Sequence, residues 1–289
     1  MLRSMTGFGR AEGSINGKKI TVELRSLNSK GLDLMLKLPS LYREKETELR
    51  QWANERIVRG KVDVYIGVEE AMVEKRTSFD VALVKQYHEE LVVVKQAVAP
   101  RSDTDLLGIV LRMPDVSRTT RDELDEAEWA QVKQLLEEAL RSFQAFRAAE
   151  GLQLYNELAA RVNSISALLA EVEPLDLARA TRTRERIQAK LDELRVQVDQ
   201  DRFEQELIYY LDKMDVAEEK MRLRTHCNYF IETAKAEDQQ GRKLGFISQE
   251  IGREVNTLGS KANDAGIQQL VVRMKDELEK IKEQVLNVL

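Results

Sequence analysis

The chain has 289 residues, of which 43% are hydrophobic and 33% charged, with a net charge of −5 and a pI of about 5.5. That balance excludes a global basic field, so any nucleic-acid contact must use local basic patches. A single cysteine, Cys227, excludes an internal disulfide and a cysteine-based zinc cluster. No apolar run approaches membrane-span length, and MLRSMTGFGRAEG has neither the apolar core nor the cleavage site of a secretory signal. A cytoplasmic protein with no membrane partner is expected.

The first seventy residues hold most of the strand signal. Thr6 to Glu12 is short and glycine-interrupted, and Asn16-Gly17 signals a hairpin. Lys19 to Leu27 alternates, with Ile20, Val22 and Leu24 on one face. A third strand covers Leu32 to Leu38, and Pro39 stops it. Ser40 is placed to cap a helix from Leu41 to about Val58; Gly60 then turns the chain into a fourth strand, Lys61 to Glu69. The fold class is α+β: a small, mostly antiparallel N-terminal sheet with helices, followed by a long-helix all-α C-terminal region.

A helix from Val81 to Val98 carries His88 as a surface residue, and Pro100 to Thr120 is a connection with a short helix near Asp105 to Leu111. Arg121 to Val172 is helical, with Gly151 as a weak point and Pro174 as its expected end. A charged helix then spans Asp176 to Val198, starting with Arg179, Arg182, Arg184 and Arg186. Helices this long predict arms or an assembly of several copies. The C-terminal helix repeats Ile267, Val271, Met274, Leu278, Ile281, Val285 and Val288 at spacings of four and three. That seam is expected to pack within the chain.

The chemistry concentrates between Leu211 and Asp264. No Pro or Gly interrupts Asp201 to Gln240, which predicts one helix. On it Asp215, Glu218, Glu219, Arg222 and His226 fall within about a third of the circumference, while Leu207, Met214, Ala217 and Met221 face a core. A second helix, joined near Gly241, has the apolar stripe Leu244, Ile247, Ile251, Val255 and Leu258. Arg242, Gln249, Glu250, Arg253 and Glu254 lie on its other face. Gly259 is expected to end it, and Asn263 or Asp264 to cap the next. Two such polar faces meeting in one groove would hold a divalent metal beside a phosphate. The same pattern also describes a solvated face with i,i+4 pairs. Cys227, beside His226, is more simply a buried thiol than a nucleophile.

These residues resemble the YicC/YloC family. The N-terminal matches are Met5-Thr6-Gly7-Phe8-Gly9, Glu23-Leu24-Arg25-Ser26-Leu27-Asn28-Ser29-Lys30, Leu38-Pro39 and Arg59-Gly60-Lys61-Val62. Glu150-Gly151 and Glu204-Gln205-Glu206 follow, then Asp215-Val216-Ala217-Glu218-Glu219, Arg222-Leu223 and His226. Gly241-Arg242-Lys243-Leu244, Gln249-Glu250, Arg253-Glu254, Asn256-Thr257 and Gly259-Ser260-Lys261 complete the pattern.

The resemblance implies an N-terminal α+β domain over residues 1–155 and a helical domain over residues 156–289. It also implies a metal-dependent endoribonuclease acting as an oligomeric RNA clamp, a homo-oligomer of six copies. The implied metal ligands are Asp215, Glu218, Glu219, Glu250 and Glu254, with His226, Glu219 and Glu250 catalytic. Mg²⁺ or Mn²⁺ suits such carboxylates. Arg25, Lys30, Arg222, Arg242, Lys243, Arg253 and Lys261 are the implied RNA contacts. The family pattern carries an aspartate where this chain has Gly245. The alternative is a non-catalytic RNA-binding adaptor that presents RNA to another nuclease.

Overall fold

The computed structural model describes residues 2–70, 78–118, 124–193, 199–236 and 240–289. Asn16 and Gly17 both take positive φ, 51° and 77°, as a tight two-residue hairpin requires. They join β1 (Gly7–Ile15) to β2 (Lys18–Leu27). β4 (Gly60–Glu70) pairs antiparallel with β2, and β3 (Leu32–Lys37) pairs parallel with β4, giving the order β1-β2-β4-β3. Between β3 and β4 runs α1 (Glu46–Arg56). The expected Ser40 cap does not form: Ser40–Lys45 is a tighter 3₁₀ turn that leads into α1, without a side-chain cap. Tyr42 in that turn is fully buried and donates to Glu128, 2.7 Å away.

A small pairing of β5 (Ser78–Phe79) with β6 (Ser117–Arg118) brackets α2 (Val81–Val98) and α3 (Leu106–Val110). Asp80 and Asp105 cap these two helices. No residue of α2 is buried, and His88 is half-buried.

The long middle helix departs most from expectation. α4 runs from Glu126 to Glu193, 68 residues, which is about 100 Å at 1.5 Å per residue. The expected starts and ends at 121–123 and 194–198 lie outside the described residues. Neither Gly151 nor Pro174 breaks α4. Pro174 removes the donor that would serve the carbonyl of Ala170, but Ala170 is exposed, so water can satisfy that oxygen. Buried Val172 and half-buried Leu175 anchor the helix on both sides of the proline.

α4 serves two cores. Its first half lays Trp129, Val132, Leu136, Leu140 and Phe143 on Ile20, Val22, Leu24, Val62, Val64 and Ile66 of the sheet. The approach is close: a Cβ on Gly9 would lie 2.1 Å from the Ala139 carbonyl oxygen. Its second half packs Leu158, Val162, Ile165 and Leu169 against the C-terminal helices. At Gly151 the N-terminal segment crosses α4, so that a Cβ there would meet the Leu2 oxygen at 2.1 Å. That segment bonds to residues 287–289: Met5 N–H donates to the Asn287 oxygen (2.9 Å), and Leu289 N–H to the Arg3 oxygen (2.9 Å).

The expected helix from Asp201 to Gln240 is two. α5 (Gln200–Lys213) stops, and α6 (Ala217–Lys235) begins after Met214, Asp215 and Val216; residues 237–239 lie outside the described set. Met214 and Val216 are buried, and Asp215 accepts from the Ala217 N–H at 3.0 Å. The break resets the helical phase. The core face of α6 is therefore Leu223, Cys227, Phe230 and Ala234, while Met221 is 60% exposed. α7 (Gly241–Ala262) runs past Gly259, where a Cβ would meet Val271 at 2.9 Å; it ends at Asn263, whose φ of 43° supplies the left-handed stop. Asp264 caps α8 (Ala265–Val285) through Gly266 and Ile267 N–H. The seam of α8, from Ile267 to Val285, is buried inside the chain as expected.

Arg179 of α4 ties these pieces together. It donates to the Ala262 oxygen at the end of α7 and to the Met214 oxygen before α6, both at 2.7 Å, and pairs with Asp176. Arg179→Met leaves these buried oxygens unpaired, with an expected loss of ~2–4 kcal/mol of unfolding free energy, measured by urea denaturation. Gly151→Ala is expected to lower stability by ~1–3 kcal/mol through its clash with Leu2, seen as a lower melting temperature by circular dichroism.

Candidate metal centre in the groove between two helices

α6 and α7 pack antiparallel, because contacts that move forward along α6 move backward along α7. Glu219 meets Lys261, His226 meets Glu250 and Glu254, and Tyr229 meets Lys243. The apolar rows Leu223-Cys227-Phe230 and Leu244-Ile247-Ile251-Val255-Leu258 form the floor. The polar residues that flank those rows line the open groove above it.

The middle of the groove brings three candidate ligands together. One ligand atom each from His226, Glu250 and Glu254 lies within 4.8 Å of the others. Glu254 is 5% exposed, and its carboxylate has no hydrogen bond or ion pair with any described residue. An imidazole nitrogen with two carboxylate oxygens is a fitting donor set for Mg²⁺ or Mn²⁺. Glu250 is half exposed and lies 4.0 Å from Arg253.

The remaining sequence candidates lie elsewhere. Glu219 is buried, with one oxygen 2.7 Å from Lys261 and the other without a partner. It sits seven residues before His226, about 10 Å along the helix, and so outside the three-residue cluster. Pairing with Glu219 raises the Lys261 pKa above the usual ammonium range. Asp215 is engaged at the start of α6, and exposed Glu218 pairs with Arg222. The structure thus does not gather all five expected carboxylates; it joins Glu250 and Glu254 to His226.

Of the expected basic contacts, Arg222, Arg242, Lys243 and Arg253 are exposed along α6 and α7. Lys243 lies over the Tyr229 ring at 4.9 Å from its centroid. Arg25 and Lys30 are exposed on the N-terminal unit, outside α6 and α7. Gly245 does not touch the cluster: a Cβ there would meet only Val285, at 3.9 Å. Cys227 is buried in the floor, and burial pushes its thiol up to about 11, which leaves it unsuited to attack as a thiolate.

Sequence reasoning missed Tyr229, which is 43% exposed beneath Lys243. Tyr229 falls one turn after His226, and that spacing was the available signal.

Two family models match the chain: "Endoribonuclease YicC-like, N-terminal region" over residues 2–156, and "Endoribonuclease YicC-like, C-terminal" over residues 172–289. A Clostridioides difficile protein named "Probable endoribonuclease YicC" is 32% identical over 293 residues, covering 100% of both chains. A Haemophilus influenzae protein of the same name is 29% identical over 290 residues, again covering 100% of both. With both halves matched in order, the chain belongs to the YicC-like endoribonuclease family.

Proposed function

We propose that the chain cleaves RNA internally, using a divalent cation held by His226, Glu250 and Glu254 in the α6–α7 groove. The observation that carries this reading is the convergence of one imidazole and two carboxylates within 4.8 Å, one of them on nearly buried Glu254. When bound, such a cation neutralises the scissile phosphate and lowers the pKa of a coordinated water. The relatives' names support RNA as the substrate.

The chain's own residues then have separable tasks. Arg253, Arg222 and Lys243 bind the phosphates on either side of the cleaved bond. Lys261, oriented by buried Glu219, holds the strand at one end of the groove. Nearly buried Glu254 sets the ligand position in this reading, while half-exposed Glu250 adjusts. Several copies assemble around the strand in this reading. The exposed Val81, Val93, Val94 and Val98 of α2 support such contacts, and sedimentation velocity measures the state.

Cleavage of an end-labelled single-stranded RNA is expected with Mn²⁺ or Mg²⁺ and lost in EDTA. His226→Ala, Glu250→Gln and Glu254→Gln each lower it by roughly 100-fold, whereas Glu218→Gln leaves it unchanged. Mn²⁺ raises the melting temperature of the unsubstituted chain, and Glu254→Gln abolishes that rise. Cleavage intact in all three cluster variants removes this site; retention of RNA without products at any metal concentration favours the adaptor. Gly245→Ala serves as a control, expected to gain ~0.5–1 kcal/mol in stability with cleavage unaltered.

A further inference from the structure

The outer face of the N-terminal sheet has no part in the groove, yet it is built like a ligand surface. Strand register places Phe8, Arg25, Asp63 and Met35 in one row across all four strands, with Tyr65 and Lys37 in the next. Phe8, Tyr65 and Met35 are 40%, 45% and 47% exposed, although the opposite face of the same strands is buried against α4.

The two rings are held open in specific ways. Tyr65 lies down along its strand over Gly67: a Cβ on Gly67 would come within 2.7 Å of the Tyr65 Oη and 2.9 Å of its Cε1. The ring therefore follows the strand and stays 45% exposed. The Arg25 guanidinium carbon stands 5.5 Å from the Phe8 centroid. Between them, Asp63 Oδ1 is shielded from solvent and has no hydrogen-bond partner. The other oxygen, Oδ2, is not shielded and has no partner among the described residues, so it is the one open to a donor from a ligand.

We propose that this face is a stacking platform for unpaired nucleobases of single-stranded RNA. Phe8 and Tyr65 each receive a base, Arg25 extends the stacked surface, and Asp63 accepts from an exocyclic amino group of adenine, cytosine or guanine. Charges of both signs interrupt every row, since Glu23 pairs with Arg25 at 2.7 Å. A plain polyanion therefore gains little here, and the charges disfavour the dry centre of a protein–protein interface. Flat rings with an unpaired acceptor fit a base better than either. The choice of RNA over DNA rests on the function proposed above; the platform itself does not.

The test uses the full chain in EDTA, so that cleavage is silent, with labelled single-stranded RNA and an oligomer carrying one fluorescent aminopurine. Phe8→Ala and Tyr65→Ala are each expected to weaken retention on the order of tenfold and to relieve the stacking quench of the aminopurine. Tyr65→Phe keeps both, and the slope of binding against salt is unchanged because no phosphate contact is lost. Asp63→Asn weakens cytidine-rich RNA more than uridine-rich RNA. Retention and quenching unaltered in both alanine variants, while the unsubstituted chain binds RNA, overturn the platform and leave the groove standing. A change of oligomeric state in Tyr65→Ala also overturns it, since the face would then be covered by a second copy. No RNA retention by the unsubstituted chain overturns both readings.

Discussion

The register of α6 against α7 hangs on one guanidinium. Arg179 bonds the carbonyl that precedes α6 and the carbonyl that closes α7, each at 2.7 Å, and so fixes where one helix starts relative to where the other stops. Because an α-helix advances about 100° per residue, a slip of one position would swing His226 away from Glu254. Arg179 reaches both oxygens only because α4 continues through Pro174. The proline is tolerated where its missing hydrogen bond faces water, so a local defect in one helix is compatible with the geometry of two others.

Within the groove, the arrangement alternates along its length. A Lys261–Glu219 pair stands at one end, the His226–Glu250–Glu254 cluster in the middle and Lys243 over Tyr229 at the other. Cations flank a region that is itself acidic, the order of charges on which the proposed metal-assisted cleavage rests. Buried Glu254 and half-exposed Glu250 differ in their freedom to move. That asymmetry suits a centre in which one ligand sets position and the other accommodates substrate.

Much of this was legible in the residues. Alternation gave the strands, Asn16-Gly17 gave the hairpin, and the seam of α8 gave an internal helix. The apolar stripe of α7 was readable too, so its acidic face followed. What sequence could not supply was phase. Nothing local at Met214-Asp215-Val216 marks a break, since neither proline nor glycine is present. The interruption comes from burying Met214 and Val216 and from Arg179, a residue 35 positions away in the chain. The unbroken-helix reading therefore placed Met221 in a core and grouped Asp215, Glu218 and Glu219 with His226. Pro174 misled in the opposite direction, because helix breaking depends on whether the orphaned carbonyl is wet, and single-residue propensity does not carry that information.

A rod 68 residues long, half in one core and half in another, also shapes how the chain comes apart. Separate cores joined by a slack linker melt independently, but continuous hydrogen bonding along α4 makes the loss of either core strip support from the helix that completes its neighbour. Denaturant should then reveal a single cooperative transition despite two family-model segments. Amide exchange near Gly151, where the chain's first residues lie across the rod, should be as slow as exchange in either core.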